Sequence, residues 1–143
     1  MNLPYLLELG VEILSFDAYQ IEFMPKEYAS SVAEFLKGGG IISWGIIPTE
    51  STTLATQTPE TLAAILSNYW EVIAENTGLS LNQIAEQALV APARCCLKDA
   101  SQVSTTTEVA GKCQVSSIEE SLVEKAFAFL PELSQILRDK YGL

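Results

Sequence analysis

The chain has no histidine among its 143 residues, and only eight lysines and arginines against eighteen aspartates and glutamates. Without imidazole, the chain cannot by itself build a triad, a dyad or a metal site that needs histidine. The shortage of cations gives a formal charge of −10. Such a surface repels a phosphate backbone, so nucleic acid is not an expected partner. Cysteine is sparse too. Cys95, Cys96 and Cys113 are an odd set, not a disulfide framework, and free thiols point to a cytoplasmic protein. No apolar run approaches the roughly 18 residues that span a bilayer, so no membrane partner is expected. The N-terminus has neither a basic segment nor a small-residue cleavage site, which argues against a signal peptide. "MNLPYLLELG" instead reads like the interior of a larger protein, as a truncated or split reading frame would.

What is present is enough for a core. The apolar fraction is 48%, too high for a disordered chain. The length fits one domain, residues 1–143, at about 150 residues per domain. The charge is uneven: residues 1–93 carry eleven acids and two bases (Lys26 and Lys37), a net −9, whereas residues 94–143 are close to neutral. That asymmetry fits either a solvated acidic surface or an acidic face that docks a basic partner.

Hydrophobic spacing predicts the elements. Pro4 to Leu9 reads as a short helix stopped by Gly10. Residues 11–17, VEILSFD, read as a buried strand that ends in an acid. Tyr28, Val32, Phe35 and Leu36 form one face of a helix over 27–37, ended by Gly38-Gly39-Gly40. Ile41 to Ile47 is a second strand, closed by Pro48. Thr58-Pro59-Glu60 is a helix start, and Gly78 ends that helix. Ser80 to Gln83 has the pattern of a capping box, and Ala88 to Ala91 is a third strand stopped by Pro92. Residues 98–116 are rich in Ser and Thr and read as an irregular loop. Ser117 to Glu120 opens a long terminal helix that Pro131 should kink or split.

The fold class implied is α/β. Three parallel βα units follow a leading helix, and residues 9–16 weakly repeat in 39–44. Three parallel strands leave both sheet edges open, and a full (βα)8 TIM-barrel needs about 250 residues. The chain therefore reads as a partial TIM-barrel, completed by oligomerisation or by a partner chain. A small open sheet that stands alone is the other reading.

Chemistry in such sheets lies at the C-terminal ends of the strands. Those ends carry Asp17-Ala18-Tyr19, the stretch from Trp44 to Thr49, and the stretch from Pro92 to Cys96. Asp17 is a candidate metal ligand or general base, or simply a turn acid. Arg94 and Lys98 beside Cys95-Cys96 would lower their thiol pKa values. Two vicinal thiols do not chelate one tetrahedral ion easily, so at most one is a candidate ligand. Trp44, Thr49 and Cys96 are the candidate substrate contacts. Gly38-Gly39-Gly40 precedes a strand, so it is not a phosphate loop.

Residues 6–19 (LLELGVEILSFDAY), 38–49 (GGGIISWGIIPT) and 88–97 (ALVAPARCCL) together resemble the C-terminal part of the cobalamin-independent methionine synthase barrel, in the uroporphyrinogen decarboxylase-like superfamily. The resemblance implies the last three βα units of an eight-unit barrel. It also implies zinc-dependent methyl transfer to a thiol, with Asp17 and Cys95 in the places of two zinc ligands. Asp17 stands where the synthases have Glu. The family's His-x-Cys ligand pair is absent here, so zinc would need a partner chain that supplies it. The alternative expectation is a non-catalytic, degenerate half-barrel that forms a homo-oligomer, a dimer, or binds a small molecule.

Overall fold

The computed structural model describes residues 2–21, 24–94 and 117–143. The elements are, in chain order, α1 (Leu3–Leu7), β1 (Ile13–Phe16), α2 (Lys26–Lys37), β2 (Ile41–Ile47), α3 (Ser51–Ala55), α4 (Pro59–Thr77), α5 (Leu81–Glu86), β3 (Ala88–Pro92) and α6 (Ser117–Tyr141). The expected strands and long helices form within one or two residues of their sequence boundaries. The expected loop over 98–116 lies outside the described residues.

Local chemistry sets the boundaries. The Thr58 hydroxyl accepts from the Thr61 N–H while the Thr61 hydroxyl accepts from the Thr58 N–H, a reciprocal cap that starts α4 before Pro59. At the end of α2 the chain must reverse into β2 within three residues. Gly39 makes that turn at φ +90°, a conformation that costs a side-chain-bearing residue.

Two elements depart from the sequence reading. α3 was not expected, because its STTLA sequence has no apolar stripe. It forms around one residue, Leu54, which is fully buried. α6 is a single helix through Pro131, not two. Pro131 is exposed, so its ring and the carbonyl it leaves unpaired face solvent, where the missing bond costs least.

The three strands form one parallel sheet in the order β1-β2-β3. Ile13 to Phe16 pair in register with Ile41 to Trp44, and Ile42 to Gly45 pair with Ala88 to Ala91. The ladder then slips by one residue between Gly45 and Ile47, a bulge that bends the end of β2. α2, α4 and α6 pack against β2 and successively against one another. They therefore cover one face of the sheet. Strand alternation turns Phe16, Ile42, Trp44 and Ile46 into that helix layer, where all four are buried.

An aromatic ladder runs through this core. Phe16 meets Trp44 edge-on at 5.4 Å between centroids, Trp44 meets Trp70 at 6.3 Å, and Trp70 meets Tyr141 at 5.3 Å. The Tyr141 hydroxyl and buried Ser67 share a 3.0 Å hydrogen bond, which ties α6 to α4. Both indole N–H groups are buried with no acceptor among the described residues.

The opposite face of the sheet has no helix on it among the described residues. Ile13 is 54% exposed and Leu89 is 50% exposed. Ser15 is exposed, and Ile41, Ser43 and Ala91 are half-buried. The fold is thus an open, three-stranded parallel α/β unit, covered on one side. No helix among the described residues is long and apolar enough to cross a membrane.

Candidate functional site

The strand ends meet as the topology requires. The Tyr19 N–H donates to the Gly45 carbonyl at 3.0 Å, and the Ala93 N–H donates to the Ile47 carbonyl at 2.7 Å. The segments after β1 and β3 are thus pinned to the end of β2. Gly45 makes this possible. A Cβ there would lie 2.6 Å from the Phe16 carbonyl oxygen and 3.0 Å from Ala93 Cα. Only a residue without a side chain lets the flanking strands close over the middle one.

A shallow cleft of about 160 Å³ opens at this convergence, lined by Asp17, Tyr19, Thr49, Glu50, Thr53 and Arg94 among others. The Asp17 carboxylate is held from two sides. Oδ1 accepts the N–H of Gln20, three residues on, at 3.2 Å, and Oδ2 accepts Arg94 Nε at 3.0 Å. Arg94 is more exposed than its partner, with 56% of its side chain accessible against 20% for Asp17, so the pair sits at the cleft mouth. The Tyr19 hydroxyl accepts from Gln57 Nε2 at 3.2 Å, and Gln57 Oε1 accepts the Thr61 hydroxyl at 2.8 Å. This chain of bonds fixes one wall of the cleft to the cap of α4. On the rim, Glu50 accepts a long 3.5 Å bond from the Thr53 hydroxyl.

Two of the five expected site residues, Asp17 and Thr49, line this cleft. Trp44 does not join them. It is 1% exposed and lies in the aromatic core, because its register with Phe16 puts it on the helix side of the sheet. Cys95 and Cys96 lie outside the described residues. Sequence reasoning placed Tyr19 and Arg94 at the strand ends but missed the pairing of Arg94 with Asp17, the bond from Gln57 to Tyr19 and the place of Glu50 on the rim. The available signal was that all three residues follow strands or lie just beyond them, on the same end of a parallel sheet.

The zinc implied by the family resemblance can be tested on Asp17. A zinc ion bound there would have to share the carboxylate with the Arg94 guanidinium, and two cations on one carboxylate repel each other. Among the described residues no group of three His, Cys, Asp or Glu side chains comes together as a metal site. The described residues by themselves therefore do not fit zinc. What the cleft does offer is an arrangement for binding: a guanidinium, a rim carboxylate and hydroxyls on a rigid floor. Compared with models of protein families, with curated proteins and with solved structures, the chain finds no match.

Proposed function

We propose that the chain is a non-catalytic α/β module that acts by association, a partial (βα)8 TIM-barrel whose copies combine, and that its strand-end cleft takes a small polar ligand. One observation carries this reading. Parallel strands are ordinarily covered on both faces, yet among the described residues the helix-free face leaves Ile13 and Leu89 about half exposed, with an open strand edge on either side. Burying that surface against a second polypeptide is favourable at about 25 cal/mol per Å² of apolar area. A cytoplasmic setting belongs to the same reading. Sedimentation velocity on the purified chain tests it. Dimers or larger assemblies are expected, and a monodisperse monomer at every concentration would end it.

A second reading follows the family resemblance: part of a centre for zinc-dependent methyl transfer to a thiol, completed by a chain carrying His-x-Cys. The placement of Asp17 at the end of β1, 3.0 Å from the residue that precedes Cys95, favours it. It requires Arg94 to release the carboxylate. Metal analysis of the chain alone and with candidate partners decides between the two. Zinc at one equivalent with a partner supports the second reading, and its absence under every pairing removes it.

A further inference from the structure

β1 is an edge of the sheet, with β2 on one side of it and no strand on the other among the described residues. The chain on both sides of it is described, from α1 through residue 12 before the strand and from 17 to 21 after it. The Ile41 N–H donates to the Glu12 carbonyl at 2.9 Å, and Ile13 stands opposite Ile41. In a parallel ladder that bond sets the alternation. Glu12, Leu14 and Phe16 turn their backbone groups toward β2, and Ile13 and Ser15 turn theirs away from it. An edge of this kind is a template on which an extended segment can add as a further strand.

The side chains around this edge are distinctive in two ways. Every residue from Glu8 to Ile13 is exposed. Of the seven large apolar side chains exposed among the described residues, four are Tyr5, Leu9, Val11 and Ile13. Apolar residues scattered singly over a surface are ordinary, whereas a run of them rimmed by polar groups marks a contact surface. The charge in the run has one sign. Glu8 and Glu12 make no ion pair among the described residues, where the ion pairs are Arg94–Asp17 and Lys140–Glu71. The two bases in residues 1–93, Lys26 and Lys37, both belong to α2 and pair with neither glutamate.

These charges choose between occupants. A second copy would bring its own glutamates and a charge of −10 to an edge that is already acidic. A segment carrying lysine or arginine instead meets Glu8 and Glu12 with the opposite sign, and apolar residues between its cations cover Leu9, Val11 and Ile13.

We propose that the edge of β1 takes an extended basic segment of a different protein, added to the sheet as a fourth strand. Ile13 and Ser15 supply the backbone hydrogen bonds, and Glu8 and Glu12 select the cations. β1 has only four residues, so its backbone offers few bonds, and the carboxylates and apolar side chains before it decide which segment binds. This goes beyond the self-association reading, which buries the helix-free face. It holds for a monomer or a dimer.

A labelled peptide that alternates lysine and valine is the probe, read by fluorescence anisotropy on the full chain, with residue-resolved amide exchange by NMR. The peptide is expected to bind and to slow exchange at the Ile13 and Ser15 amides. A peptide that alternates glutamate and valine is expected not to bind. The double variant Glu8→Lys with Glu12→Lys weakens binding of the lysine–valine peptide at least ~tenfold. Glu132→Lys, on α6 and so beside β3 instead of β1, leaves binding unchanged, which separates this edge from the general acidity of the chain. Circular dichroism matching wild type shows that each variant is folded. Absence of binding, equal binding of both peptides, binding without protection at Ile13 and Ser15, or full affinity in the double variant overturns the proposal. So does strong protection of both amides in the free chain, because another part of the chain or a second copy then already covers the edge.

Discussion

On the helix side of the sheet, Phe16, Ile42, Trp44 and Ile46 are shut in by α2, α4 and α6. On the other side of the same sheet Ile13, on the strand that carries Phe16, and Leu89, on β3, keep about half their surface. The two faces differ in apolarity, since Ser15 and Ser43 lie on the second, and in what covers them among the described residues. Alternation along a strand assigns a side chain to a face; whether that face is closed depends on what the rest of the chain, or another chain, places on it. The helix side holds the core, and the other side and the sheet edges are uncovered among the described residues.

Four substitutions probe this contrast, from largest effect to smallest. Trp44→Ala removes the centre of the aromatic ladder and should cost about 3–5 kcal/mol in chemical denaturation; a loss below 1 kcal/mol would mean that the helix layer is not the core. Gly45→Val sits where the two faces meet and forces a branched side chain against the Phe16 carbonyl. It should cost about 1–3 kcal/mol and loosen the Asp17–Arg94 closure, seen as faster amide exchange at Tyr19 and Ala93. Tyr69→Phe removes the hydrogen bond from the buried Tyr69 hydroxyl to the Ile21 carbonyl, a loss of about 1 kcal/mol. It also has a pH signature. Burial, and secondarily Tyr19 nearby, raises the Tyr69 phenol above its ordinary value, so the unfolded chain ionises first. The stabilisation is complete below about pH 10 and declines as pH rises toward the folded-state value. In Tyr69→Phe that part of the alkaline decline in urea midpoint should vanish. Ile13→Thr, on the bare face, should change stability by no more than about 0.5 kcal/mol; a large loss would show that something does cover this face.

The sequence made the scaffold readable wherever one residue type settles a local choice. Pro48 and the glycine triplet bracket the apolar run of β2, Thr58-Pro59 starts α4, and the observed parallel order of the strands is the one expected from alternating β and α segments. It failed wherever the outcome depended on distant contacts. α3 has no periodicity and forms because Leu54 finds the core. Trp44 was expected at the cleft because it lies toward the end of β2, but its register with Phe16 turns it into the helix layer, and which face that layer covers is decided by packing between distant segments. Part of the cleft was legible, since Asp17 and Thr49 were placed by topology alone. The bond from Arg94 to Asp17 was not, because it joins residues 77 apart and depends on the missing side chain of Gly45.

The aromatic ladder also gives the protein an optical signature. The chain has two tryptophans, both buried, their rings 6.3 Å apart and their indole N–H groups without an acceptor among the described residues. In so apolar a setting the emission of the folded protein lies toward the blue, and the electronic transitions of the neighbouring rings couple strongly enough to produce a near-ultraviolet circular dichroism band. Folding can therefore be followed without a label.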